Sequence, residues 1–118
     1  DGAHAVHPNY TNKSDITNDV ILGKGITVKT SASQRYLSDS EATAVVMQLC
    51  KKTDIPYQVQ VNRSGMPGGQ TLGPIVVSYL PMQGADIGIP MLAMHSAREL
   101  AYMRDYQALV MFLKIFSA

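Results

Sequence analysis

The sequence predicts an α/β fold in which helices layer on a sheet, and three observations carry that expectation. Strict apolar and polar alternation occurs from Ile26 to Lys29 and again from Tyr57 to Asn62. Apolar residues recur at helical spacing between and after these stretches. Turn signals built on Gly, Pro and Asp separate the two patterns, so strands and helices alternate along the chain.

The elements follow in order. The opening stretch, DGAHAVHPNY onward, holds no convincing strand as far as residue 20. GKGITVKTSASQ, Gly23 to Gln34, reads as a strand after a glycine turn, with Ile26 and Val28 on the core side and Thr27 and Lys29 on the other. Ser38 and Glu41 stand at capping-box spacing, and the helix they open carries Ala42, Val45, Val46 and Leu49 until Asp54-Ile55-Pro56 stops it. YQVQVNR then alternates, burying Tyr57, Val59 and Val61 against outward Gln58, Gln60 and Asn62. SGMPGGQTLGPIVVSYL passes from a glycine-rich loop into a helix over 71–80 whose first turn holds Pro74. GADIGIPML is expected as one short strand, and MHSARE as a loop with Ser96 and Glu99 again at capping-box spacing. A last helix presents Tyr106, Leu109, Val110, Leu113 and Phe116 on one face, with Asp105 as its cap. The sum is about three strands and three helices, with a sheet that is incomplete in this chain.

Composition sets the limits on function. A chain of 118 residues holds one domain and one core, and 46% apolar with 16% charged residues is ordinary for a packed globular protein. Ten basic against nine acidic residues, with no Lys/Arg run beyond Lys51-Lys52, leave no footprint for nucleic acid or a membrane surface. No apolar stretch is long enough to span a bilayer, and no signal-peptide pattern opens the chain, so a cytoplasmic location is expected. The lone Cys50 lies on an apolar helix face and reads as a core side chain.

Some side chains invite chemistry. Asp1, His4, His7 and His95 are far apart in sequence yet of metal-ligating type, and sites in α/β folds are assembled from loops at strand ends. The same histidines also fit plain turn-capping roles. GMPGGQTLG lacks the Lys-Ser/Thr of a P-loop and the spacing of a dinucleotide fingerprint. Gly68, Gly69 and Thr71 either let backbone approach a ligand oxygen or simply form a tight strand-to-helix turn. Lys29, near a strand end, either meets an anionic substrate or is solvated.

DGAHAVHPNY resembles the Asp-x-Ala-His-Ala-x-His-Pro-Asn segment of the aspartyl aminopeptidase family, dinuclear zinc metallopeptidases. ITVKTSASQRY, GMPGGQTLGPI and DIGIPMLAMHSARE resemble three further segments of that family in the same order, so the likeness spans nearly the whole chain. It implies a layered α/β/α part of a zinc-peptidase catalytic domain, a mixed sheet with helices on both faces. On this reading residues 1–118 are the C-terminal segment of that domain, and the upstream catalytic segment and a dimerisation domain belong to the rest of the same polypeptide.

The resemblance also implies roles. Asp1 would ligate one zinc and His95 the other, while the remaining ligands and the general-base Glu lie upstream, so this chain carries no catalytic acid or base and is expected to be inactive alone. Lys29 would pair with an Asp or Glu side chain at the N-terminus of a peptide substrate, with Tyr36, His4, Gly69 and Thr71 lining the substrate site. A homo-oligomer is implied as well. Gln70 stands where the family has a small hydroxyl residue, which loosens the tie to acidic substrates. Two other readings remain open: a non-catalytic α/β binding or oligomerisation module, and a peptidase of the same class that prefers neutral residues.

Overall fold

The computed structural model describes residues 1–66 and 68–118; Pro67, in the glycine-rich loop, lies outside the described residues. The order is β1 (Ala3–His4), a 3-10 turn (Thr11–Lys13), β2 (Ile26–Thr30), α1 (Ser40–Thr53), β3 (Tyr57–Val61), α2 (Leu72–Tyr79), β4 (Asp86–Gly88), β5 (Pro90–Leu92), β6 (Leu100–Ala101) and α3 (Met103–Phe116). The fold is mixed α/β, as expected. In place of one sheet of about three strands, the described strands make two three-stranded sheets, β1-β5-β6 and β3-β2-β4.

Two local features cause that difference. GADIGIPML does not form a single strand, because Pro90 lacks the N–H a continuing ladder needs. The chain changes sheets at Ile89: β4 pairs antiparallel with β2, and β5 pairs parallel with β1. β1 is only two residues long, too short for any alternation to show, and it exists through its pairing of Ala3 with Pro90 and His4 with Met91.

β2 is the centre of its sheet, parallel to β3 from Ile26↔Tyr57 to Thr30↔Val61 and antiparallel to β4 with Lys29 opposite Asp86. Ile26 and Val28 enter a core formed with Val46 and Cys50 of α1, Ile55, and Ala108 and Phe112 of α3. The expectation of a polar, open side is corrected here. Thr27, Lys29 and Gln60 are 0%, 3% and 7% exposed, so this polar side is covered too. Alternation reports the chemistry of each face, not its access to water.

The helix ends shift in instructive ways. Asp39, not Ser38, caps α1, its carboxylate accepting the Ala42 N–H at 2.7 Å. Ser38 is drawn away to accept the Asp86 N–H at 2.8 Å, and Glu41 takes the Gln83 side-chain amide at 2.7 Å. The helix stops at Asp54 in the left-handed region (φ 56°), just before Ile55-Pro56 as expected. Val45 is exposed, and Cys50 with Val46 carries the buried stripe. Burial pushes the Cys50 thiol pKa up.

Asp105 does not cap α3. It is fully buried, and its carboxylate accepts the N–H groups of Gly23 at 2.7 Å and Gly25 at 2.8 Å. It thereby fixes the turn that feeds β2. Gly25, at φ +95°, has room for no Cβ, which would overlap the Pro56 carbonyl. Anchoring Asp105 inward rotates α3 so that Ala108 and Phe112 face the core, while Tyr106, Leu113 and Phe116 of the expected face are exposed. α2 buries none of its residues, and Leu72, Ile75, Val76 and Tyr79 are exposed. Among the described residues no helix is long and apolar enough to cross a membrane.

Candidate metal and substrate site

The Lys29 ammonium lies 3.4 Å from the Asp1 carboxylate, and the Lys29 side chain is 4% exposed against 50% for Asp1. The same ammonium sits over the Tyr36 ring, 5.5 Å from its centroid. The solvated reading of Lys29 is therefore corrected. Burial holds its pKa below the ordinary lysine value, and the negative charge of Asp86 only partly offsets this. A buried ammonium is costly unless opposite charge attends it, and Asp1 and Asp86 provide that charge.

Backbone pairing positions Asp1. The Ala3 N–H donates to the Ile89 carbonyl and the Ala5 N–H to the Met91 carbonyl, each at 2.9 Å. Gly88 leaves space for the Asp1 carbonyl, which any Cβ at that position would overlap. His4 closes β1. Partial burial, and then the nearby charges of Lys29 and His95, hold its imidazole below the usual histidine range even though its residue remains open to water. His95 stands in the turn after β5 with φ 68°, exposed.

The loop around His95 is held by its own side chains. Glu99 Oε1 accepts the His95 N–H at 2.6 Å, and Ser96 Oγ accepts the Arg98 N–H at 3.1 Å. No helix starts at Ser96, so the expected capping box there is corrected to a hydrogen-bonded turn that leads into β6. His7 is also a turn residue. Its Nδ1 accepts the Asn9 N–H at 3.1 Å, and its ring lies 5.1 Å from that of Tyr10.

A cleft of about 320 Å³ opens beside this group, lined among others by His4, His7, Tyr36, Gln60, Asn62 and Gly69. Gly69 is exposed, and among the described residues no atom lies within 4 Å of where a Cβ would stand. Thr71 is buried at the N-terminus of α2, but its hydroxyl does not cap the helix; it donates to Asp86 Oδ2 at 2.6 Å. Asp1, Lys29, Thr71 and His95 are absent from the cleft lining.

Three polar residues of this region went unassigned in the sequence. Asp86 faces Lys29 in register. Gln60 lies across β2 from it, with its Nε2 donating to Asn62 Oδ1 at 3.4 Å and its buried Oε1 without a partner among the described residues. Asn62 Oδ1 also accepts the Tyr36 hydroxyl at 3.2 Å. Asp86 heads the DIGIP segment and Gln60 sits in an alternating strand, so both were visible as polar residues on strands, but only the register aligns them with Lys29.

Carboxylate and imidazole are zinc donors in kind. Among the described residues, however, no three His, Cys, Asp or Glu side chains come together as a metal-holding group. Asp1 and His95 therefore do not form a closed zinc site with the other residues of this segment.

The family model described as "Aminopeptidase I zinc metalloprotease (M18)" matches residues 1–117. "Probable M18 family aminopeptidase 2" of Clostridium novyi (strain NT) is 51% identical over 106 residues, covering 90% of this chain and 24% of its own length. A cryo-EM structure of the Ape4 and Nbr1 complex superposes with a TM-score of 0.92 at 38% identity, covering 98% of this chain and 22% of the other. The mApe1 dodecamer of S. cerevisiae matches with a TM-score of 0.78 at 25% identity, covering 95% and 24%. The chain thus spans about a quarter of the length of the curated relatives it matches. With the family model running from Asp1 through the last turn of α3, the chain belongs to the aminopeptidase I zinc metalloprotease (M18) family.

Proposed function

We propose that these residues are the C-terminal catalytic-domain segment of a zinc aminopeptidase that removes single N-terminal residues, Asp or Glu by preference, from peptides. The observation that carries this reading is the buried Lys29 ammonium, held between Asp1 and Tyr36 in a chain of the M18 family. Asp1 would donate to one of two zinc ions and His95 to the other, with the remaining ligands and the general-base Glu supplied by the upstream part of the polypeptide. The bound ions would supply Lewis acidity and an acidified water. This chain's own residues would do the selecting: Lys29 and Tyr36 would meet the acidic side chain, His4 and Gly69 would shape the approach to it, and Thr71, outside the cleft lining, would act through its bond to Asp86. The dodecamer seen for mApe1 supports a homo-oligomer for the whole protein, and we place that protein in the cytoplasm.

The 3.4 Å contact between Lys29 and Asp1 favours a second reading, in which Lys29 balances the ligand carboxylate and selects no side chain. Assaying the full-length protein on peptides with N-terminal Asp, Glu, Ala and Leu, before and after zinc removal by a chelator, tests the proposal. It requires hydrolysis that depends on zinc and favours the acidic pair. Chelator-insensitive hydrolysis would overturn it, as would a profile without acidic preference for the specificity.

A further inference from the structure

Asp86 is tied to two separate segments near the site, and neither the sequence motifs nor the expected ligand set gives it a role. Its Oδ2 accepts two short hydrogen bonds, from the Leu37 N–H at 2.7 Å and from the Thr71 hydroxyl at 2.6 Å. Its own N–H donates to Ser38 Oγ at 2.8 Å. Across the sheet it pairs in register with Lys29. Space is cleared for this node: Gly73 lets α2 approach, since a Cβ there would come 2.5 Å from the Leu37 Cβ and 3.2 Å from Asp86 Oδ2. Among the described residues the carboxylate makes no ion pair within 4.0 Å, so N–H and O–H donors hold its charge.

The three segments that meet at Asp86 are those that carry the substrate-side candidates. Leu37 follows Tyr36 directly, Thr71 ends the glycine-rich loop that carries Gly69, and Lys29 is the register partner. A carboxylate that accepts from two separate segments at once fixes their spacing, because charge-assisted bonds at these lengths tolerate little displacement. We propose that Asp86 is a positioning residue for substrate binding, which sets the glycine-rich loop and the Tyr36 segment at a fixed distance from Lys29. The inference rests on the aminopeptidase reading for what is bound, but the clamp is a property of the fold.

The experiment uses the full-length protein with Asp86→Ala, Thr71→Val, the double variant and Thr71→Ser. Steady-state kinetics are measured on a peptide with N-terminal Asp, together with zinc content and hydrogen–deuterium exchange over 36–39 and 68–73. Loss of a hydrogen bond to a charged group that matters only for binding is expected to raise KM about 10-fold with kcat nearly unchanged. Asp86→Ala and Thr71→Val should each do so, the double variant should be no worse than Asp86→Ala, and Thr71→Ser should restore KM. Both clamp-breaking variants should keep their zinc and exchange faster in the two segments. An unchanged KM in Thr71→Val, additive effects in the double variant, or a fall in kcat alone overturns the inference. If the wild-type protein hydrolyses no peptide, the aminopeptidase reading fails, and exchange alone decides the clamp: faster exchange in Asp86→Ala upholds it, and unchanged protection overturns it.

Discussion

Lys29 and Asp1 form an ion pair in which the cation is nearly sealed from water and the anion is half open to it. The pair can serve selection of an acidic substrate or neutralisation of a ligand carboxylate, and one substitution separates the two. In the full-length protein, Lys29→Met should lower kcat/KM for N-terminal Asp and Glu by about 10- to 100-fold more than for Ala or Leu, which corresponds to about 1.5 to 3 kcal/mol. An equal loss on all substrates, with less zinc bound, would assign Lys29 to Asp1 alone.

Replacing the proposed ligands tests the metal assignment directly. Asp1→Ala and His95→Ala in the full-length protein should each reduce bound zinc, measured by elemental analysis, and abolish turnover while leaving circular dichroism unchanged. Both side chains are exposed or half exposed, so neither supports the core. A variant that keeps full zinc content and normal turnover rules out its residue as a ligand.

The 118 residues by themselves should bind zinc weakly and hydrolyse nothing. A four-coordinate site needs more donors than Asp1 and His95 bring, and no third candidate joins them among the described residues. Titration with Zn²⁺ would falsify this if it showed two sub-micromolar sites.

Asp105 is expected to matter for stability, not chemistry. Asp105→Ala strips the acceptors from the Gly23 and Gly25 N–H groups and empties a fully buried position. A cost of about 2 to 4 kcal/mol follows from losing bonds to a charged acceptor and leaving donors unpaired. Chemical denaturation should show it as a lower midpoint, and an unchanged midpoint would mean that the turn before β2 is held some other way.

Asp15 gives a pH-dependent test away from the site. Its Oδ1 accepts from the Thr17 hydroxyl and N–H and from Asn18, and these bonds hold its pKa down to about 2 from the ordinary 3.8. Because the folded value is the lower one, the turn's contribution is fully present above pH 3.8 and fades as pH falls through about 2. The carboxyl resonance of Asp15, followed by NMR, should titrate near 2; a midpoint at the ordinary value would show that the turn does not hold the charge.

The parts of the fold legible in the sequence were those set by local chemistry. The alternation around Val28 and Val59, the stop at Asp54 and Pro74 in a first turn needed nothing beyond near neighbours. The errors share a cause, which is long-range recruitment. Ser38 was expected to cap a helix and is taken by Asp86; Asp105 was expected to cap another and is taken by the Gly23–Gly25 turn. The site divides in the same way. Lys29 and Tyr36 stood out beside each other in one segment, whereas Asp86 and Gln60 acquire meaning only from the register that puts them on either side of Lys29.

The two sheets are joined at one place by a single residue, Ile89, between Gly88 of β4 and Pro90 of β5. Proline fixes its own φ and holds the residue before it near extended conformations, so Ile89 has little freedom to swivel, and two Cα steps span at most about 7 Å. The link therefore works as a short, stiff pin. The half of the site built around Lys29 and Asp86 hangs from one end of it, and the strand leading to His95 hangs from the other. The link limits how far β4 and β5 can part at this point, so loosening of the helices around the core would leave the two sheets tethered there.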